Sequence, residues 1–223
     1  MKLPHFLHRE VFYLIGIILL GYLYFYLGGN FIGDFGDPIG QTIPNKTLLA
    51  EFYNKKLNIL WNPLNFLGMP FLADLQVGAF YFPDIFFFSI FPPFLAHNIS
   101  VLFHISLAAI SCYYLLYKLC KEKLPAITGA SILALTGTFL SKLVFLNFIA
   151  TLAYTPLLLL FTEHKDKLGI KIFLTTLIML SAGHPVAAFY TILVTATFVL
   201  YRNWGKAKII FEIAYLMLCS LLS

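Results

Sequence analysis

Residues 95–117 read LAHNISVLFHISLAAISCYYLLY, a run without one Asp, Glu, Lys or Arg, closed by Lys118, Lys121 and Lys123. A helix rises 1.5 Å per residue, so this run is long enough to cross the roughly 30 Å hydrocarbon core of a bilayer. Further apolar runs bounded by charge recur near 11–28, 124–141, 144–162, 168–182, 185–201 and 207–223. Two tight hairpins are inferred among them. Residues 124–162 are too long for one crossing, and Lys142 and Asn147 mark the turn. Residues 168–201 are likewise too long and are broken by Gly183-His184-Pro185. Composition agrees: 60% of residues are hydrophobic and only 11% charged, against about 25% charged in a soluble domain. Such a chain cannot cover its apolar surface in water, so lipid is its solvent. The expected fold is an all-α integral membrane protein, a single membrane domain over 1–223. It has about seven transmembrane helices and a large extracytoplasmic first loop, 29–84, containing interface helices.

Basic residues set the orientation. Lys2, Arg9, Lys118, Lys121, Lys123, Lys165, Lys167, Lys171, Arg202, Lys206 and Lys208 would share one side, eleven of the 15; Lys46, Lys55, Lys56 and Lys142 take the other. Lys and Arg concentrate in cytoplasmic loops. The N-terminus is therefore expected in the cytoplasm, the chain crossing a bacterial inner membrane many times, with loop 29–84 outside. The net charge of +5 comes from short clusters between apolar runs and not from a basic face, so nucleic acid is not an expected partner. Cys112, Cys120 and Cys219 show no CxxC spacing and form neither a disulfide framework nor a zinc site. The N-terminal run from Val11 to about Leu27 is rich in Tyr and Phe and lacks a small-x-small cleavage site, so it reads as a retained span. The last run reaches Ser223 without a closing positive cluster, as in the front part of a longer protein; a naturally short chain is the alternative.

The loop has its own organisation. Gly33-Asp34-Phe35-Gly36-Asp37-Pro38 is turn-rich and lies directly outside the first span. A helix is expected from Asn45 to Leu60, with Leu49, Tyr53, Leu57 and Leu60 on one face and Lys46, Glu51, Asn54, Lys55 and Asn58 elsewhere. That pattern suits a helix lying in the membrane interface. Trp61-Asn62-Pro63 and Gly68-Met69-Pro70-Phe71 read as two turns. Residues 85–94 are apolar but too short to span, so they dip into the membrane or pack on the bundle.

Half of the ten acidic residues, Asp34, Asp37, Glu51, Asp74 and Asp84, lie in this loop. Asp34 and Asp37 stand within a few residues of the lipid boundary, where a carboxylate can take a proton from an attacking hydroxyl or hold a divalent cation such as Mg or Mn. Asp also suits solvated turns for backbone reasons alone. Asp74 and Gln76, amid Phe71, Phe80, Tyr81 and Phe82, are either buried and paired or line a cleft for a sugar or lipid headgroup. Trp61, Tyr53, Phe80 and Tyr81 would stack on a sugar or serve as belt aromatics. Lys142, Asn147 and His184 sit at the two hairpin tips on the side of the loop, where they can reach one cavity and meet a phosphate. His97 and His104 share one helical face and read as helix-to-helix hydrogen-bonding groups.

The order Gly33-Asp34-Phe35-Gly36-Asp37, Trp61-Asn62-Pro63, Gly68-Met69-Pro70-Phe71, Asp74-Leu75-Gln76-Val77-Gly78-Ala79-Phe80-Tyr81-Phe82-Pro83, Leu146-Asn147-Phe148 and Gly183-His184-Pro185 resembles the N-terminal half of bacterial YfhO-type membrane proteins, within the GT-C glycosyltransferase superfamily. The resemblance covers nearly the whole chain, and the G-x-P-F…Q-x-G-x-F-Y-x-P run is its most specific part. It implies a conserved seven-span module, an outer first loop with membrane-parallel helices and a catalytic acidic residue in that loop. It also implies transfer of a sugar from a polyprenyl-phosphate carrier to an extracytoplasmic cell-envelope acceptor. The acidic role falls on Asp37 or Asp34, and the loop motif supplies Gln76, Tyr81 and Pro83. The chain departs from the pattern in lacking later spans and a C-terminal soluble domain. The rival reading is a non-catalytic membrane protein, a lipid-linked-sugar translocator or assembly subunit, or an inactive fragment. Charges at the span ends and elaboration in the loop favour surface chemistry over transport.

Overall fold

The computed structural model describes residues 9–27, 36–65, 67–163 and 168–202. Helices dominate it, and the only ladder among the described residues is a two-residue antiparallel pair. Helix α1 covers Arg9–Leu27. A π-helical turn, Pro38–Thr42, runs directly into α2, Ile43–Asn54. Strands β1 (Trp61–Asn62) and β2 (Met69–Pro70) follow, then a 3-10 turn, Leu75–Val77, and α3, Phe82–Ile90. The remainder is α4 (Pro93–Cys120), α5 (Lys123–Ala134), α6 (Gly137–Ser141), α7 (Leu146–Ala153), α8 (Thr155–Thr162), α9 (Leu168–Ser181) and α10 (Pro185–Arg202).

Three segments are long and apolar enough to cross a membrane: Pro93–Cys120, Lys123–Ser141 and Pro185–Arg202. Two shorter apolar stretches, Leu146–Thr162 and Gly169–Ser181, accompany them. The expected seventh run, 207–223, lies outside the described residues. Breaks have local causes. Proline at 156 lacks the amide that would continue α7 into α8, and the chain shifts to a tighter bond, Tyr154 N–H to Thr151 O. Thr136 is extended (ψ 151°) between α5 and α6, and its hydroxyl donates to Leu133 O at 2.9 Å.

Helix α4 is the axis of the fold, packing against α1, α3, α5, α7 and α8. Its pairing with α5 runs along small residues. Ala126, Ala130 and Ala134, one turn apart, are fully buried in one core with Ala108 and Ala109 of α4. Small side chains let two backbones approach closely when the surroundings are as apolar as the helices. Tyr22 of α1 donates its hydroxyl to the carbonyl of Ala134 at 2.9 Å, which fixes α1 against the end of α5.

Residues 36–92 fold into a layer with its own small core of Leu49, Phe52, Phe71, Val77 and Ala79. Here the expected helix over 45–60 is corrected: α2 stops at Asn54. Lys56 adopts the left-handed conformation (φ 54°), its amide bonds Tyr53 O, and the Leu57 amide bonds Phe52 O at 2.8 Å. This is the Schellman closure of a helix end, made with Lys where Gly is usual. Leu57 and Leu60 consequently leave the helix and are exposed, while Lys46, expected on a solvated face, is buried. The two turns read from Trp61-Asn62-Pro63 and Gly68-Met69-Pro70 pair with each other as β1 and β2, Trp61 opposite Pro70.

Candidate functional site

Asp34 lies outside the described residues. Asp37 is exposed at the head of the π-helical turn, and its carboxylate makes no capping hydrogen bond there. One turn on, the Gln41 amide donates to Gln76 Oε1 at 3.0 Å. The Gln76 carbonyl in turn accepts the Asn147 side-chain amide at 2.6 Å. The turn that carries Asp37 is thus tied through Gln41 and Gln76 to the first turn of α7. Asp74 serves this junction structurally: its Oδ1 accepts the Gln76 amide at 2.9 Å and caps the 3-10 turn.

The second hairpin closes on the same place. Gly183 (φ 89°) lies so near the 75–76 backbone that an added Cβ would stand 2.0 Å from Leu75 O. Only a residue without a side chain allows this approach. Beside it, His184 Nδ1 accepts the Ala187 amide at 3.1 Å and caps α10, so the neutral ring carries its proton on Nε2. The ring also meets Phe148 edge-on, with centroids 5.2 Å apart. Burial holds the His184 imidazole below its ordinary value, and the Lys142 ammonium adds to the effect. Lys142 itself is exposed, its Nζ 5.1 Å from the Phe145 ring centre. Gln76, Lys142, Asn147 and His184, distant in sequence, therefore meet at one edge, next to the Asp37 turn.

Tyr81 goes elsewhere. It is fully buried behind this edge and belongs to a chain of polar groups that sequence reasoning did not assemble. His104 Nδ1 donates to the Ser100 carbonyl at 2.6 Å, which leaves Nε2 to accept from the Tyr81 hydroxyl. Tyr154 then donates to the Tyr81 oxygen at 2.9 Å. Ser100 donates its hydroxyl to Asp84 Oδ1 at 2.6 Å, and Lys46 Nζ lies 2.9 Å from Asp84 Oδ2. The side chains of Lys46 and Asp84 are 1% and 0% exposed. Burial opposes the Asp84 charge, but Lys46, His104 and the Ser100 hydroxyl outweigh it and hold the carboxyl below the usual carboxylate range. Burial, with Tyr154 and Asp84 adding, raises the Tyr81 phenol well above its ordinary value. His97, sharing the α4 face of His104, is buried as well. The segment above the pair is held by Gly78 (φ 62°), where a Cβ would stand 2.7 Å from Lys46 Nζ. The signal in the sequence was the lone Asp84 at the start of an apolar segment and the lone Lys46 in α2, neither of which sits comfortably without a partner.

A divalent cation needs several oxygen ligands. Among the described residues no three His, Cys, Asp or Glu side chains gather. Asp74 is used in its cap and Asp84 in its ion pair, so among the described residues the edge offers Asp37 as its one uncommitted carboxylate, fewer oxygens than such an ion needs.

A shallow cleft of about 450 Å³ opens beside the Asp37 turn, lined by Ile39, Ile43, Pro44, Thr47, Leu48, Glu51, Leu64, Pro93 and Phe94. It is apolar but for Thr47 and Glu51, and it runs between α2 and the head of α4. No family model matches this chain, and no curated protein or solved structure matches it either.

Proposed function

We propose that this chain is a membrane glycosyltransferase, or part of one, that moves a sugar from a polyprenyl-phosphate carrier to an acceptor at the extracytoplasmic face of a bacterial inner membrane. The observation that carries the reading is the Gln41–Gln76–Asn147 bridge, which ties the turn bearing the exposed Asp37 to the first turn of α7. Asp37, Gln76, Asn147 and His184 fall in the motifs that carry the YfhO-type resemblance, Lys142 is added by its place at a hairpin tip, and the Asp37 carboxylate makes no capping hydrogen bond. The seven-span arrangement, the cytoplasmic N-terminus and the outward-facing loop belong to the same proposal.

The chemistry follows from the groups present. Asp37, or Asp34, accepts the proton of the acceptor hydroxyl as that oxygen bonds to the anomeric carbon. The bond from the anomeric carbon to the carrier phosphate breaks, and its electron pair leaves with the phosphate. Lys142 and the Nε2–H of His184 offset the charge that develops on the leaving oxygen, a task that a preorganised cation and donor can perform without a metal. The apolar cleft between α2 and α4 gives the carrier's hydrocarbon chain a place to lie beside Asp37. The test replaces Asp34 and Asp37 singly with Asn in the full-length protein and measures sugar transfer from lipid-linked donors. Loss in one variant supports the assignment, and undiminished transfer in both removes it.

A further inference from the structure

Helix α3 has two unlike faces. Asp84 and Phe88 turn inward and are buried, and Phe87 packs on Phe103 of α4 with ring centroids 5.4 Å apart. Phe82, Phe86 and Ile90, spaced four residues apart on the other side, are 73%, 58% and 57% exposed. The hairpin is similar: Leu64 is 74% exposed and Leu67 wholly so, at the tip between β1 and β2. Neither patch is interrupted by charge. No Asp, Glu, Lys or Arg occurs between Lys56 and Asp74, or between Asp84 and Lys118. The second charge-free stretch begins at α3, before α4 has started.

Length makes the same point. Helix α4 has 28 residues, about 42 Å at 1.5 Å each, against a hydrocarbon core of roughly 30 Å. Its first turn, with Phe94 and Leu95, is nonetheless apolar and exposed. The hairpin and α4 adjoin: Leu64 shares the cleft with Pro93 and Phe94. Only two residues, Phe91 and Pro92, link the end of α3 to the start of α4. A water-facing layer carrying these two charge-free apolar patches would be unstable against association.

We propose that the outer face of α3 and the hairpin tip are immersed in lipid, forming a collar around the head of α4. This moves the membrane contact of the layer away from α2, whose apolar residues Ile43, Leu49 and Phe52 are buried in protein. The occupant is the hydrocarbon edge of the bilayer, because the collar continues the surface of the longest span. The proposal rests on reading α4 as a membrane span and is independent of whether sugar transfer occurs.

The test places a spin label, one site at a time, at Phe86→Cys, Ile90→Cys and Leu67→Cys in bilayers, with Cys112, Cys120 and Cys219 changed to Ser. Collision with oxygen reports lipid, and collision with a water-soluble nickel chelate reports solvent. Leu193 of α10, exposed on a span, is the lipid control, and Lys55, directly after α2, is the water control. The collar positions are expected to match Leu193, with an oxygen-to-nickel ratio several-fold above that at Lys55. Ratios like Lys55, or protection from both agents as under a second copy or a protein partner, overturn the collar. A water-like Leu193 overturns the membrane reading beneath it. As a second measurement, Phe86→Trp in a chain with Trp61→Phe and Trp204→Phe is expected to be quenched by acyl-brominated lipid and not by acrylamide. The reverse pattern refutes the proposal even where the cysteine variants do not assemble.

Discussion

Replacing Lys46 with Met removes one half of a buried ion pair and leaves a charged Asp84 in a fully buried site. The two charged atoms are 2.9 Å apart. At an effective dielectric of 20, which suits such pairs, Coulomb attraction at that distance is about 6 kcal/mol. Part of this only offsets desolvation, so the measured cost of breaking the pair should be about 3–5 kcal/mol. Asp84→Leu should cost less than the cation's own isolation would suggest, since the flexible Lys46 stem can move toward solvent. The double variant Lys46→Met/Asp84→Leu removes both charges and should return to within about 1 kcal/mol of the native protein. The assay is reversible unfolding in mixed micelles, read as a double-mutant cycle, with limited proteolysis of residues 43–90 as a local probe. Additive losses across the cycle, or a loss below about 1 kcal/mol for Lys46→Met, would refute the claim that the pair is desolvated and coupled. Acidity offers a parallel check. The folded Asp84 carboxyl lies below its ordinary value, so its contribution is complete above the unfolded value of about 3.9 and is lost as pH falls through the folded one. That acid step should be absent in Asp84→Leu.

Five further outcomes follow from the same geometry. Tyr81→Phe leaves His104 Nε2 without its donor and Tyr154 without its acceptor, which should cost about 1–3 kcal/mol per orphaned group and exceed the effect of Tyr154→Phe in a thermal melt. Gly183→Ala forces a methyl onto Leu75 O at a positive φ, and the hairpin should detach from the 75–78 segment, seen as faster hydrogen exchange at the Gln76 and Gly78 amides. His184→Ala deletes the cap on Ala187 and should lower stability by about 0.5–2 kcal/mol. In the native chain the same cap should be retained above about pH 6.5 and lost as pH falls through the depressed folded value of His184, which chemical-shift titration of the Ala187 amide would detect. Asn147→Leu removes the donor to Gln76 O; if transfer is assayed, it should fall in this variant while Tyr154→Phe leaves it unchanged.

The apolar runs and their breakers were legible because each is a local property. Gly183-His184-Pro185 interrupts a helix where the sequence places a break, whereas the breaks at Thr136 and before Pro156 fall inside runs expected to be continuous. The meeting of Gln76, Lys142, Asn147 and His184 was partly legible, since placing both hairpin tips on the side of the loop left few other arrangements. The boundary of α2 was not. Its end is made by Lys56 in the left-handed conformation, closed by the Lys56 and Leu57 amides on Tyr53 O and Phe52 O, where the sequence offers no Gly to mark it.

Sequence alone therefore determined that this protein is built of apolar helices, three of them long enough to cross a membrane, because charge and hydropathy act residue by residue. Tertiary structure decided which polar groups are used and which are free. Lys46 looked like surface and Tyr81 like a ligand platform, yet packing by Gly78, Ser100, His104 and Tyr154 turns both inward. Helical periodicity says which face a residue occupies, but only the fold says what covers that face. Asp37 is exposed at the head of its turn, and its carboxylate makes no capping hydrogen bond there.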